Sequence, residues 1–409
     1  MEVRSGYKQT DLGVVPDDWH VCELDKVTQL QVGYAFKSEW FGRYGELRLL
    51  RGENVGYGSV DWSDTRTLDI SKRTEFSHYL LSGGDIIIGM DRTFTKSGVK
   101  ISRLTNKDIS SLLVQRVGRF IPTRCNADFL WHVLSFSRFH AALKLEQTGM
   151  DIPHLSRMEI LHPIIAVPPL PEQQAIANAL NDVDDLIASL DRLIAKKRDI
   201  KQAAMQQLLT GKTRLKGFSG EWETKRLGTV ISIRNEKVNT LGSEIAAFCI
   251  ELEQIGQNSG QIDGHSDARG RQTMKYRFER GDVLFGRLRP YLRKYWLAER
   301  EGVCSTEIWP LVTINEQLAR DFLFQTVQSD AFIDAANSSY GTHMPRSDWK
   351  ALTQFEFLVP RDIAEQQAIG QLLCDMDAEM KELQRRRDKS IEIKQGMMQE
   401  LLTGRTRLI

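Results

Sequence analysis

The sequence predicts a mixed α/β protein in which two globular α/β domains alternate with two long helices that form an antiparallel coiled coil. Three observations predict this architecture. A segment that begins at Glu172 recurs from Glu365, the stretches before each copy lack helical periodicity, and 409 residues suit two domains of roughly 150 residues with connectors. The predicted parts are residues 1–170 (first globular domain), 171–212 (first helix), 213–363 (second globular domain) and 364–409 (second helix).

The repeat covers each long helix and extends into the domain before it. Residues 172–215 and 365–408 align without gaps, and about 23 of roughly 44 positions are identical. Weaker echoes precede both copies, because Trp19 matches Trp222 and the phrase GDIIIG in the first domain matches GDVLFG in the second. The chain is therefore one unit written twice, which predicts an internal pseudo-twofold repeat.

Both repeated segments have the apolar spacing of a coiled coil. Apolar side chains advance by alternating steps of four and three, and this spacing keeps one stripe of the helix facing a partner. Prolines stand just before the first helix, and Gly211 and Gly404 are the expected C-caps. The predicted seam consists of Ile176, Leu180, Val183, Ile187, Leu190 and Ile194 in the first helix, and of Ile369, Leu373, Met376, Met380 and Leu383 in the second.

The globular domains show short β-type runs that are broken by glycine and polar turns. Such runs occur at residues 85–88, 283–285 and 357–359. Helical patches come late in each domain, near residues 129–145 and 317–336. Strands followed by a few helices predict a mixed α/β domain in both places.

Composition excludes several classes of protein. Hydrophobic content of 41% and charged content of 27% are ordinary for a soluble globular chain, and no apolar run approaches the roughly 20 residues that a membrane span needs. The polar N-terminus does not resemble a signal peptide. The five cysteines are scattered, which fits reduced thiols better than a disulfide framework or a zinc site. We therefore expect a cytoplasmic protein.

Catalytic motifs are missing from the sequence. It contains no HExxH, no GxSxG and no GxGxxG after a strand. The phrase TGKT at Thr210 resembles part of a P-loop, but Gln206 occupies the position of the earlier glycine and Arg405 replaces the lysine in the second copy. We expect a chain that is not an enzyme and that binds no metal or cofactor itself.

Local charge favours DNA binding, although the formal net charge is only +1. Residues 265–300 carry about ten basic residues against about four acidic ones, interleaved with aromatic side chains. The matching stretch of the first domain is also basic. A solvated charged hairpin is the alternative interpretation of each stretch. The candidate DNA contacts are Arg92, Thr93, Thr95, Lys96 and Lys100 in the first domain, and Arg269, Arg271, Lys275, Arg287, Arg289, Tyr291, Arg293 and Lys294 in the second.

Glycine-containing loops before each helix are further candidates, since their polar side chains differ between the copies. The residues concerned are Thr148, His154, Tyr340, Thr342, His343 and Arg346. A helix of about 35 residues is roughly 50 Å long. Domains at opposite ends of such a pair would lie about 40–50 Å apart and could face two DNA sites a little over one turn apart. A helical stalk that only dimerises or spaces two functions is the alternative.

The chain resembles the specificity subunit of type I restriction-modification systems. The resemblance lies in YKQTDLGVVPDDW from Tyr7, in PPLPEQQAIA and LLTGKTRL around the first helix, and in AEQQAIG and LLTGRTRL around the second. The phrase LRGENVGYG from Leu50 also looks like part of the family's recognition domains, and it adds Arg51 and Asn54 to the candidate DNA contacts. The second helix departs from the pattern, because residues 361–364 replace the proline-rich approach of the first.

The resemblance implies two target-recognition domains that each read one half of a split double-stranded DNA target, with helices that fix the gap. It also implies two methyltransferase subunits that bring S-adenosylmethionine and methylate adenine. Motor-nuclease subunits with ATP and Mg²⁺ would join for cleavage. The competing hypothesis is a coiled-coil adaptor that joins proteins without touching DNA. A self-sufficient nuclease or methyltransferase is disfavoured by the missing motifs.

Overall fold

The structure, a computed structural model, describes residues 4–95, 98–108, 110–146, 154–337 and 345–408. The chain forms two compact units. Unit 1 comprises Met1–Ser189 and Arg387–Ile409, and unit 2 comprises Leu190–Arg386. Each unit therefore holds one globular domain, together with part of each long helix.

Unit 1 contains a mixed α/β domain. A four-stranded sheet with the order β10-β7-β12-β4 lies beside a three-stranded sheet with the order β11-β5-β6. The strands are β1 Tyr7–Thr10, β2 Gly13–Pro16, β3 His20–Glu23, β4 Thr28–Val32, β5 Leu47–Leu50, β6 Arg66–Leu68, β7 Ile86–Gly89, β8 Phe94–Thr95, β9 Gly98–Val99, β10 Ile101–Arg103, β11 Ser111–Leu113, β12 Val117–Pro122 and β13 Ile164–Val167. The helices are α1 Ala127–Ser135, α2 Ser137–Glu146, α3 Arg157–Leu161 and the start of α4, Leu170–Leu208.

Unit 2 repeats this plan. Its sheet β20-β19-β22-β15 corresponds strand by strand to β10-β7-β12-β4, and a second sheet has the order β16-β18-β21-β17. The strands are β14 Trp222–Arg226, β15 Ile231–Ile233, β16 Lys237–Asn239, β17 Cys249–Ile250, β18 Met274–Phe278, β19 Val283–Gly286, β20 Tyr295–Leu297, β21 Gly302–Cys304, β22 Ile308–Thr313 and β23 Glu356–Pro360. The helices are α5 Leu227–Val230, α6 Arg320–Gln328, α7 Asp330–Asn337, α8 Trp349–Leu352 and the start of α9, Ile363–Leu401.

The central strand of each main sheet explains the repeated phrase GDIIIG/GDVLFG. Successive side chains of a strand point to opposite faces. Ile86 and Ile88 of β7 accordingly enter one apolar core and Ile87 enters another. Leu284 of β19 is likewise separated from its two neighbours, which lie in a different core. Both strands are buried on both faces, so a continuous apolar run replaces alternation. The predicted strands and late helices are confirmed.

The two long helices run antiparallel within each unit. In unit 2, Lys197 pairs with Glu379 at 2.7 Å and Lys201 pairs with Asp377 at 2.6 Å, so the position on α9 falls as the position on α4 rises. In unit 1, Lys394 pairs with Asp184 at 2.6 Å. The predicted seam residues Leu190, Ile194 and Leu383 form a buried cluster. Ile176 and Leu180 lie in the main core of unit 1, Ile369 and Leu373 lie in that of unit 2, and Val183, Ile187, Met376 and Met380 are half-buried.

The repeated phrases EQQAI and TRL contact each other in both units. In unit 1, Arg407 donates to Glu172 at 2.7 Å, and the indole N–H of Trp19 donates to the same carboxylate at 3.0 Å. In unit 2, Arg214 donates to Glu365, with a distance of 2.6 Å from Nη2 to Oε2. Both glutamates are buried, and buried carboxylates require such partners. These phrases therefore build the framework that joins helix and domain.

Candidate nucleic-acid interface

The loop after β7 holds the candidate residues of unit 1. Arg92 is exposed and has a left-handed backbone, with φ 47°. Thr93 is fully buried and donates its hydroxyl to the Met90 carbonyl at 3.0 Å, whereas Thr95 is exposed and its hydroxyl donates to the Gly98 carbonyl at 2.9 Å. Lys100 is half-buried and its ammonium donates to the Gly52 carbonyl at 3.1 Å. Lys96 lies outside the described residues.

The Lys100 contact joins this loop to the LRGENVGYG segment. Asn54 is 2% exposed, accepts a hydrogen bond from the Arg51 backbone N–H at 3.1 Å and donates to the Asp61 carbonyl at 2.9 Å. The Arg51 guanidinium pairs with Glu53. In this structure the side chains of Arg51 and Asn54 therefore hold the loop. Whether either also contacts DNA stays a prediction.

The loop after β19 is the equivalent feature of unit 2. Arg289 is exposed and left-handed, with φ 51°, and Tyr291 is 52% exposed. The Arg287 guanidinium lies over the Trp309 ring, 5.3 Å from its centroid. Arg293 pairs with Asp330, and Lys294 donates to the Leu252 carbonyl at 2.7 Å. Lys294 thus repeats the contact that Lys100 makes in unit 1.

The end of the central strand has little space for a side chain in both units, because a lysine side chain lies against it. A Cβ on Gly89 would lie 3.2 Å from the Cβ of Lys100. A Cβ on Gly286 would lie 3.2 Å from the Cβ of Lys294 and 2.7 Å from a methyl carbon of Leu252. In unit 2 the 2.7 Å approach would force a shift, whereas in unit 1 Lys100 would have to move by a few tenths of an ångström. Each glycine therefore lets a lysine tie the strand end to a neighbouring loop.

A segment that the sequence analysis did not select pairs with Lys294 in unit 2. Residues 250–258 fold like residues 50–58, since one residue of each segment forms an isolated antiparallel bridge, Val55 with Val60 in unit 1 and Ile255 with Ile262 in unit 2. The signal was present in the sequence as GENVG and LEQIG, which share an acid, an amide, a β-branched residue and a glycine at the same spacing. Identity at so few positions is a weak repeat on its own.

Several of the basic side chains between positions 265 and 300 pair with acidic side chains of the same unit. Arg269 donates to Asp267 and holds the pKa of that carboxyl down at about 2. Lys275 pairs with Glu251 at 2.6 Å. Arg271 is exposed. Charge counted along the sequence therefore overstates the positive surface, and exposed arginines are the residues available to a phosphate or a base edge.

The segments that follow the glycine-containing loops contact the loops after β7 and β19, since Asp91 forms an isolated bridge with His154 and Leu288 forms one with Arg346. His154 donates to Asp91 at 2.7 Å, and Arg346 pairs with Glu307 at 3.0 Å. The hydrogen bond with Glu307 raises the pKa of Arg346. The other candidates in these loops, Thr148, Tyr340, Thr342 and His343, lie outside the described residues.

A buried polar cluster lies beside the helix pair in each unit. In unit 1, His132 is fully buried and its Nε2 lies 2.9 Å from Oδ1 of Asn181. Burial, followed by repulsion from Lys394, lowers the pKa of His132 to about 4. In unit 2, burial lowers the pKa of Lys201. His132 and Lys201 are both buried, and each contacts a polar side chain of its own unit, Asn181 or Gln328.

Over the described ranges, no three or more His, Cys, Asp or Glu residues are grouped so that they could hold a metal ion. The same part of the chain contains no helix that is both long and apolar enough to span a membrane.

Comparison with known proteins gives consistent similarities. Residues 16–201 match the family model described as the type I restriction modification DNA specificity domain. The specificity subunit of the type I restriction enzyme MjaVIII from Methanocaldococcus jannaschii is 31% identical over 215 residues, which cover 52% of this chain and 50% of that protein. The specificity subunit of the Escherichia coli enzyme EcoAI is 32% identical over 196 residues, which cover 47% of this chain and 32% of that protein. The chain thus spans half or less of the length of these two relatives.

A solved structure has the same fold. The S subunit of a type I restriction-modification system from M. genitalium superposes with a TM-score of 0.62 at 12% sequence identity, and the match covers 98% of both chains. At this identity the likeness supports the fold alone.

Proposed function

We propose that the chain is the DNA sequence-specificity subunit of a type I restriction-modification complex, because residues 16–201 match the family model of the type I restriction modification DNA specificity domain. Each unit binds one half of a split double-stranded DNA target through its globular domain. The two long helices fix the gap between the half-sites and dock the methyltransferase subunits. The chain itself is not catalytic.

The observation that carries this proposal is the loop that follows the central strand of the main sheet in both units, after β7 in unit 1 and after β19 in unit 2. Each unit presents an exposed arginine, Arg92 or Arg289, at the same position after the central strand. Each unit also uses a lysine to tie that loop to a neighbouring segment. A duplicated binding surface suits a target with two half-sites, since each domain can read its own sequence.

The partners follow from the same proposal. Two methyltransferase subunits bring S-adenosylmethionine, and motor-nuclease subunits bring ATP and Mg²⁺, so this chain needs no cofactor of its own. Double-stranded DNA is the ligand, and no membrane is involved. The complex works in the cytoplasm, where the chromosome is accessible to it.

The experiment that tests this function is a methylation map of the host genome by single-molecule sequencing, with and without the gene. We expect the loss of one split motif, which has two short half-sites, a fixed gap and a methylated adenine on each strand. Restoring the intact gene should restore that motif, and restoring a copy with an early stop codon should not. An unchanged map, in cells shown to express the methyltransferase subunits, contradicts DNA reading and supports the adaptor hypothesis.

A further inference from the structure

Arg92 and Arg289 share an unfavourable backbone conformation at equivalent positions. Each arginine is the third residue after the glycine that ends the central strand, and their φ angles are 47° and 51°. Non-glycine residues rarely adopt this region, because Cβ crowds the following carbonyl oxygen. Strain of this kind persists where the surrounding structure fixes the backbone, and it concentrates at functional sites.

In unit 1, contacts on both sides of Arg92 fix its backbone. The Leu155 N–H donates to the Met90 carbonyl at 2.9 Å. Asp91 accepts hydrogen bonds from His154 at 2.7 Å and from Arg116 at 2.8 Å. The Lys100 N–H donates to the Thr93 carbonyl at 2.7 Å. Residues before and after Arg92 are therefore held by three separate segments.

In unit 2, the same loop is held by the same pair of neighbouring segments with different chemistry. The Arg289 N–H donates to the Pro345 carbonyl at 2.8 Å, and the Ser347 N–H donates to the Arg287 carbonyl at 2.8 Å. Glu307, which immediately precedes β22, pairs with Arg346 at 3.0 Å. In unit 1 the residue that immediately precedes the equivalent strand, β12, is the basic Arg116, which pairs with Asp91. The residue before the strand is therefore basic in unit 1 and acidic in unit 2, while the arrangement of the neighbouring segments is the same.

Among the described residues no acid pairs with Arg92 or Arg289, in contrast to other arginines nearby. Arg116 and Arg293 are also left-handed, but their guanidinium groups are held by Asp91 and Asp330. Within the described ranges, Arg92 and Arg289 form no ion pair. The charge of Arg92 also acts on its surroundings, since burial and then repulsion from Arg92 lower the pKa of Lys100.

We propose that Arg92 and Arg289 read bases rather than phosphates, and that each contacts a guanine edge in the half-site bound by its own unit. The inference rests on the proposed function. A guanidinium fork matches O6 and N7 of guanine in the major groove, and this bidentate contact requires a fixed approach. A phosphate contact carries no sequence information and tolerates a mobile side chain. An exposed arginine on a fixed, left-handed backbone, with no ion pair among the described residues, fits the first role in each unit. Each half-site then contains at least one G·C pair.

The test compares Arg92→Gly with Arg92→Ala, and Arg289→Gly with Arg289→Ala, in the complex with co-expressed methyltransferase subunits. The probe is a library of duplex DNA with both half-sites randomised, sequenced after binding at several salt concentrations. We expect each variant to lose preference for G·C at one base pair of one half-site, with a loss of affinity for the preferred target of about 10- to 100-fold. The other half-site should keep its preference, which provides an internal control for folding.

The glycine variants add a second readout, because glycine relieves the left-handed strain. Their melting temperatures should exceed those of the matching alanine variants by about 2–4 °C. Ser110→Gly is the matched control, since Ser110 is left-handed with φ 66° in the same unit as Arg92, and this variant should leave DNA preference unchanged.

Three outcomes overturn the inference in distinguishable ways. A uniform loss of affinity for all sequences, with a salt slope smaller by about 1, assigns the arginines to phosphates. Unchanged binding removes them from the interface. Absence of sequence preference in the unsubstituted complex instead overturns the proposed function itself.

Discussion

Unit 1 and unit 2 place the same ion pair beside the helix pair but bury it to different extents. In unit 2, the side chains of Lys201 and Asp377 are 7% and 29% exposed. In unit 1, the equivalent Lys394 and Asp184 are 18% and 36% exposed. The ion pair itself is part of the repeat, whereas the exposed fraction of its side chains depends on the domain that covers them. The two copies of the framework can therefore keep the same contact while its contribution to the free energy of unfolding differs.

The neighbours of the pair have diverged further. In unit 1, His132 faces Asn181 on the long helix, and in unit 2 the equivalent positions hold Gln325 and Cys374, which are 3.4 Å apart from Nε2 to Sγ. Lys201 also donates to Gln328 at 2.8 Å. The repeat therefore constrains the charges that join the helices more than it constrains the polar groups around them.

The largest expected effect is the loss of the buried counterion in unit 2. Asp377→Asn leaves the Lys201 ammonium buried without its carboxylate, and breaking a buried pair costs about 3–5 kcal/mol. Asp184→Asn in unit 1 should cost less than about 1 kcal/mol, because Lys394 can reach solvent more readily. Urea unfolding of both variants at pH 7 measures the difference. Equal losses would mean that the difference in burial between the two pairs has no energetic consequence.

The next largest difference in the free energy of unfolding is expected between substitutions of the equivalent residues Trp19 and Trp222. Trp19 is fully buried and its N–H donates to Glu172, so Trp19→Phe should lower the free energy of unfolding by about 2–3 kcal/mol through lost packing and a lost hydrogen bond. Trp222 is half-buried, and its N–H has no acceptor among the described residues. Trp222→Phe should therefore cost below about 1 kcal/mol. A loss for Trp222→Phe that matches the loss for Trp19→Phe would contradict this interpretation.

The tryptophans also show how far sequence reasoning extends. Their match is one of the weaker echoes of the repeat, and local apolar spacing was enough to predict β7, β19 and the long helices. The partners of these residues were not predictable, because Glu172 and Arg407 are far apart in the sequence and meet only in the folded unit. The same holds for Lys100 and Lys294. Their charge suggested a DNA contact, but whether a lysine reaches solvent or a backbone carbonyl depends on tertiary structure.

A pH-dependent difference between the units follows from His132. Its pKa is about 4 in the folded unit, below the ordinary value of 6.5, so the unfolded chain takes up the proton first as the pH falls. The stability that comes from keeping His132 neutral is complete above pH 6.5 and is lost as the pH falls towards 4. Between pH 7 and pH 5 the loss should be about 2 kcal/mol.

His132→Gln installs the residue that unit 2 carries at the equivalent position, Gln325. This variant should show a pH dependence smaller by about 2 kcal/mol between pH 7 and pH 5. Urea titrations of both proteins at the two pH values measure it, and Gln325→Asn serves as a control without a titratable group. An unchanged pH dependence in His132→Gln would show that His132 is not the group responsible.

The smallest expected effects concern the two loop-tying lysines. Lys100→Met and Lys294→Met each remove one charge-assisted hydrogen bond to a carbonyl, which should lower the free energy of unfolding by about 1 kcal/mol. The Lys294 contact is shorter, 2.7 Å against 3.1 Å, so its loss should be the larger. Because both ammonium groups are already bound within the fold, the salt dependence of DNA binding by the complex should stay unchanged, whereas a phosphate contact would reduce the slope by about 1. A smaller salt slope of DNA binding for either variant would show that the substituted lysine contacts a phosphate in the complex instead of the carbonyl. The DNA interface of that unit would then include the end of the central strand.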